Sequence, residues 1–194
     1  MINEILKSFV TLLIIIDPFV SAVFFIGQFK KSTEAERSKA IWTAILVAGA
    51  LLFLFLFTGL FLLDILNISF NGFMIGGGII LLIMGITTVL GLEFSGHSTK
   101  VSSAAILIGT PLLSGPGALT TIIILSKSYG LLIPAIAGAL VLLTSFIILK
   151  FADKVENVLG TEIMEIFSKV LGLLLAALAV DFIYLGIRGF IVGG

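Results

Sequence analysis

Leu12-Leu13-Ile14-Ile15-Ile16-Asp17-Pro18-Phe19-Val20-Ser21-Ala22-Val23-Phe24-Phe25-Ile26 is a long apolar run broken once, by an acid and a proline. With its flanks the apolar stretch reaches from about Ile5 to Phe29. About 20 apolar residues in a helix cross a hydrocarbon core of about 30 Å. The stretch is therefore long enough to span a bilayer. Its one polar interruption falls inside the membrane, where a carboxylate costs about 2.5–3.5 kcal/mol on insertion scales and usually faces a polar interior.

The rest of the chain repeats this composition. Of 194 residues, 59% are hydrophobic and 11% charged, with a mean hydropathy of +1.30. A soluble domain carries about 25% charged residues, so lipid is part of this chain's solvent. Eleven basic residues balance eleven acidic ones, and no basic patch is present to meet a nucleic acid. There is no cysteine and His97 is the only histidine. Thiolate chemistry, disulfides and His/Cys metal clusters are thereby excluded, and no Gly-rich phosphate loop is present. The chain reads as a non-enzyme without cofactor. Lys7 before an apolar run and the small residues Val20-Ser21-Ala22 resemble a secretory leader. Glu4 offsets Lys7, however, and Phe24-Phe25-Ile26 continues the run, so the segment reads as a retained span.

Six spans are expected, at about Ile5 to Phe29, Ile41 to Leu63, Phe70 to Leu92, Ala104 to Leu125, Leu131 to Leu149 and Ile163 to Ile187. Polar connections lie at Lys30 to Lys39, Glu93 to Ser103 and Lys150 to Glu162. Basic loops stay cytoplasmic. The side bearing these connections holds eight basic residues and the other side holds Lys7, Lys127 and Arg188. The expectation is a multi-pass cell-membrane protein with both termini outside.

The middle linker, 93–103, separates a first three-span unit, 1–92, from a second, 104–194. An odd number of spans per unit makes the second enter the bilayer from the opposite side. Two alike halves would form an inverted repeat. A shift of 98 residues superposes Pro18 on Pro116 and Ile26 on Ile124, and little else is identical. The fold class is an all-α membrane protein of two inverted three-span repeats, with the first and fourth spans broken at proline.

Proline lacks an N–H and clashes with the preceding turn. Asp followed by Pro is also a helix start, with Asp as N-cap and Pro at the first helical position. One helix therefore ends before Asp17 and another begins there. Thr110-Pro111 and Ser114-Gly115-Pro116-Gly117 interrupt the fourth span in the same way, with Thr120 and Thr121 adding hydroxyls one turn later. Two half-helix N-termini, with unpaired N–H groups and positive dipole ends, favour an anion such as a carboxylate. Asp17 can hold an ammonium group or a coupling cation. Each motif alone is also what a packing kink looks like; their matching places in both halves favour a ligand site. Broken spans and re-entrant hairpins both fit the sequence.

Other features carry less. Gly72, Gly76, Gly77, Gly78 and Gly85, and the pair Gly172 and Ala176, suit close helix packing. Asp181, Asp64 and Asn71 are expected near the outer interface, and His97 in a solvated loop.

At Asp17-Pro18-Phe19 and Pro111-Leu112-Leu113-Ser114-Gly115-Pro116-Gly117-Ala118 the chain resembles the MarC family of integral membrane proteins, which includes neutral amino-acid transporters of the SnatA type. The family commonly reads D-P-F-G-N-x-P at the first motif; Val20, Ser21 and Val23 stand here in place of its Gly, Asn and second Pro. The resemblance implies secondary transport of small neutral amino acids such as glycine or alanine, coupled to Na+ or H+. It places substrate binding at Asp17, Pro18, Phe19 and Ser21, with Gly115, Pro116, Gly117 and Thr120. An exporter or channel for another small solute and a non-transporting scaffold are the alternatives. The charge bias makes one direct prediction. In this cysteine-free chain, single cysteines at Lys7 and Arg188 react with an impermeant thiol reagent from outside, and one at Gly96 only from within.

Overall fold

The computed structural model describes residues 1–29, 32–91 and 113–192, and all their regular structure is helical. In chain order the helices are α1 (Ile2–Ile16), α2 (Pro18–Phe29), α3 (Glu34–Ile65), α4 (Phe70–Leu90), α5 (Pro116–Tyr129), α6 (Leu132–Lys150), α7 (Ala152–Leu159) and α8 (Thr161–Val192). Five segments are long and apolar enough to cross a membrane: Ile2–Phe29, Glu34–Ile65, Phe70–Leu90, Leu132–Lys150 and Glu162–Val192. Of the expected fourth span only the second half is described, as α5. At 14 residues this helix is about 21 Å long, too short to cross alone. Its first half, with Thr110 and Pro111, the linker 93–103 and His97 lie outside the described residues.

Two helices begin or run further than hydropathy predicts. α3 starts at Glu34 because Thr33 and Glu36 form a reciprocal capping box. The Glu36 N–H donates to Thr33 Oγ1 at 3.3 Å and the Thr33 N–H to Glu36 Oε2 at 2.9 Å. The basic connection is thus half helix. The Lys150 to Glu162 connection, read as a loop, contains α7, whose Ala152 is buried and whose Val155 packs on the core while Asp153 and Lys154 are exposed.

The core mixes large aliphatic and aromatic side chains with alanines that let the helices approach. α3 buries Ala40, Ala44, Ala48, Leu52, Leu56 and Leu63, one stripe at a spacing near four, against α5 and α6. The most extensive contact in the molecule joins α4 to α8. A Cβ on Gly85 would lie 2.8 Å from the backbone oxygen of Gly172, and one on Gly78 2.9 Å from that of Ala179. Backbones this close exclude any side chain between them, the arrangement by which lipid-embedded helices associate. The opposite faces are apolar and open: Trp42, Leu46, Phe57 and Phe61 of α3 and Leu173, Val180 and Leu185 of α8 are exposed. Such a surface is suited to lipid.

Packing between the halves is reciprocal. α2 lies against α6 and α8, and α5 lies against α3 and α4. α1 and α2 do not lie along each other, so the chain bends at Asp17 without folding back as a side-by-side pair.

Gly85→Ala forces backbone atoms apart and is expected to cost about 1–3 kcal/mol of stability. A Cβ on Gly76 meets nothing within 4 Å, and Gly76→Ala is expected to be neutral. Thermal unfolding in detergent compares the two.

Candidate functional site

A single residue separates α1 from α2. The Asp17 N–H donates to the Leu13 carbonyl at 3.1 Å, closing α1, and its own carbonyl accepts from the Ser21 N–H at 3.3 Å, opening α2. Asp17 thus pairs both of its own backbone groups at the break, in a medium that offers no water to replace them. The junction demands φ = 39° and ψ = 76° at Asp17, the left-handed region that Asp and Asn tolerate better than most residues. Pro18 then occupies the first helical position, where its missing N–H is no loss.

The Asp17 side chain is buried and its two oxygens differ. Oδ1 accepts from the N–H groups of Phe19 (3.2 Å) and Val20 (3.3 Å) and from the Ser168 hydroxyl (3.4 Å) on α8. Oδ2 is buried and has no hydrogen-bond partner among the described residues. The salt bridges among those residues, Met1–Glu4 and Arg37–Asp153, do not involve it. A buried, one-sided carboxylate is costly unless a donor or cation meets its free oxygen. Ser21 is fully buried and its hydroxyl donates back to the Asp17 carbonyl at 3.4 Å. Phe19 stacks on Phe167 of α8, ring centroids 5.7 Å apart.

The second break ends differently. Leu113, Ser114 and Gly115 are buried and lead into Pro116 at the first turn of α5. Gly115 is the N-cap and brings no side-chain hydrogen bond. The first intrahelical donor is Leu119, to the Gly115 carbonyl at 3.1 Å, so the N–H groups of Gly117 and Ala118 precede the helical ladder. α2 has its N-terminus filled by Asp17. α5 has no such cap.

The two breaks are neighbours. A Cβ on Gly117 would sit 3.4 Å from Cγ2 of Ile15, two residues before Asp17, and 3.3 Å from the Met84 sulfur on α4. The absence of a side chain at Gly117 lets α5 approach α1 and α4 together. Of the expected binding residues, Asp17, Pro18, Phe19 and Ser21 open α2, and Gly115, Pro116, Gly117 and Thr120 open α5. Pro18 and Gly117 are buried, Phe19 is half-buried and Pro116 is exposed. Thr120 lodges against Gly77 of α4, a packing contact. Its neighbour Thr121 is fully buried with an unpartnered hydroxyl among the described residues, which makes it the stronger polar candidate of the pair. Asp181 is exposed on α8 and level with the Gly78 contact, and takes no part in this site.

Ser168 was not legible in advance. It lies between Phe167 and Lys169 near the start of a long unbroken helix, and its position beside Asp17 exists only after α8 packs on α2. Replacing Asp17 separates its roles. Asp17→Ala removes the cap and leaves an unfavourable φ, with an expected loss of about 1–2 kcal/mol. Asp17→Asn keeps both the cap geometry and tolerance of the left-handed region, and its unfolding midpoint is expected to stay near that of the parent.

A family model described as "MarC family integral membrane protein" matches residues 2–191. A UPF0056 membrane protein of Archaeoglobus fulgidus is 31% identical over 192 residues, covering 93% of this chain and 90% of its own. The UPF0056 membrane protein YhcE of Escherichia coli is 28% identical, covering 96% and 93%. One from Aquifex aeolicus is 27% identical, covering 94% and 91%. No solved structure matches. Apolar helices, a proline-broken first span and a match along nearly the whole length agree: the chain belongs to the MarC family of integral membrane proteins.

Proposed function

We propose that this protein is a secondary transporter of small neutral amino acids, with its substrate site between the starts of α2 and α5. One observation carries the reading: a buried carboxylate oxygen without a partner among the described residues, Asp17 Oδ2, follows by two residues Ile15, which packs against Gly117 at the start of α5, a helix N-terminus without a side-chain cap. A free carboxylate oxygen calls for a cation and a free helix N-terminus calls for an anion. A zwitterion offers both on adjacent atoms. The Phe19 and Val20 N–H groups are already taken by Asp17, so the substrate carboxylate belongs at Gly117 and Ala118 and its ammonium at Asp17. Ile15, Leu81 and Met84 crowd Gly117, which favours glycine- or alanine-sized side chains.

The reciprocal packing of α2 on α6 and α8 and of α5 on α3 and α4 supports two inverted three-span units. The units are 1–92 and 104–194, joined by the linker 93–103. Alternating access then follows from one unit rocking against the other. In this reading the chain sits in the cell membrane with both termini outside, performs no covalent chemistry and needs no bound cofactor. A Na+ or H+ gradient drives it, and the coupling ion neutralises Asp17.

Purified protein in liposomes is expected to accumulate labelled glycine only under a sodium or proton gradient. Asp17→Asn, with its fold expected to be kept, is expected to lose at least about nine-tenths of that uptake, since the charged pairing is worth about 1.5–3 kcal/mol. Ser168→Ala is expected to weaken apparent substrate affinity severalfold. Absence of gradient-driven accumulation of any neutral amino acid overturns the reading, and conduction without accumulation favours a channel.

A further inference from the structure

We propose that Arg37 and Asp153 form the gate that closes the site on the face bearing Lys150 and the start of α3. Arg37 stands in the first turn of α3, in the first half of the chain, and Asp153 on the short helix α7, in the second. The Arg37 Nη2 lies 2.7 Å from both carboxylate oxygens of Asp153. The same guanidinium covers the ring of Phe25 on α2, 5.4 Å from its centroid. One side chain thus ties together α3, α7 and the half-helix whose first residue follows Asp17.

The pair sits over a hollow. A cavity of about 340 Å3 opens here, lined by Phe25, Arg37, Trp42, Phe146, Lys150 and Asp153 among others. Phe25, one of its lining residues, is itself fully buried and stacked on Phe29. Behind Phe25, on the buried face of α2, come Ala22 and Ser21 and then Asp17. The helix is 12 residues long, about 18 Å, so the cavity and the Asp17 site lie toward opposite ends of one half-helix. Phe25, Arg37 and Asp153 all line the hollow, and Phe25 shares its half-helix with the Asp17 site.

Strength and exposure suit a gate better than a fixed brace. The Arg37 side chain is 22% exposed and Asp153 54%. A pair of this exposure biases an equilibrium by about fivefold at most, and the cation–ring contact adds a comparable factor. The Arg37–Asp153 bridge joins residues 116 apart, and the other salt bridge among the described residues, Met1–Glu4, is local. Breaking it frees α7 from α3 and uncovers Phe25 together. Closure and opening of this face therefore differ by a contact weak enough for thermal exchange.

The purpose of the gate rests on the transport reading, but its existence is measured without substrate. The chain has no cysteine, so Ala22→Cys places a single thiol between Phe25 and Asp17. Ser38→Cys, on the cavity wall, serves as the reference outside the gate. An impermeant thiol reagent is added from the Lys150 face to protein in oriented vesicles. Ala22→Cys is expected to react slowly. Arg37→Ala or Asp153→Asn is expected to raise that rate about three- to tenfold and leave the Ser38→Cys rate unchanged. The double reversal Arg37→Asp/Asp153→Arg is expected to recover at least half of the protection, which separates a lost pair from general loosening. An Ala22→Cys rate unchanged in both single variants overturns the gate, as does a double reversal that reacts as fast as either single. Glycine uptake discriminates the two ideas. Altered labelling without any uptake leaves the gate and removes the substrate class; normal uptake with unaltered labelling removes the gate alone.

Discussion

Backbone hydrogen bonding in a medium without water is the constraint on which this structure depends. In lipid every N–H and C=O must find its partner within the protein, so a helix can be interrupted only where the interruption satisfies itself. Asp17 does part of this with one residue. Its N–H completes α1, its carbonyl begins α2, and its carboxylate takes the next two N–H groups. The unusual backbone angles follow from compressing a C-cap and an N-cap into a single position. Proline at the next position costs nothing there and fixes the direction of the new helix.

The rest of the architecture serves to bury that junction. An ionisable group inside a membrane must face protein or a polar cavity. The α4–α8 pair, held by backbone approach at Gly78 and Gly85, brings Ser168 to Asp17 from one side and seats Thr120 and Gly117 of α5 from the other. The glycines thus do more than pack two helices. They set the distance at which both half-helix starts meet the same helix pair.

The parts of the fold written in local sequence were legible in it. The Asp17-Pro18 break was, because residue preferences at a cap and at the first helical position are local. So were the second and third spans, since apolar length is read by counting. The polar start of α3, ahead of its apolar run, was not legible because hydropathy does not register a capping box: Thr33 and Glu36 add a turn of polar helix that no apolar run announces. α7 was hidden for the same reason, being short and amphipathic. Within the site, Ser168 and the distinction between Thr120 and Thr121 are long-range facts. Two adjacent threonines on α5 point to different neighbours, and only Gly77, far off in sequence, determines which of them packs.

The two breaks resemble each other in sequence yet differ in what they leave open. One is filled by its own carboxylate and keeps an oxygen without a partner among the described residues; the other begins with glycine and has no side-chain cap. A perfectly symmetric pair, each capped by Asp, would present two negative groups to one another and bind cations alone. A pair capped by Gly twice would bind only anions. In the proposed transporter, the asymmetry between Asp17 and Gly115 makes the junction dipolar, with an acceptor on one side and donors on the other. A dipolar junction selects a ligand whose charges are opposite, adjacent and equal. Strict repetition of the two halves would abolish it, so the divergence between Asp17-Pro18 and Gly115-Pro116 is as much a part of the site as their likeness.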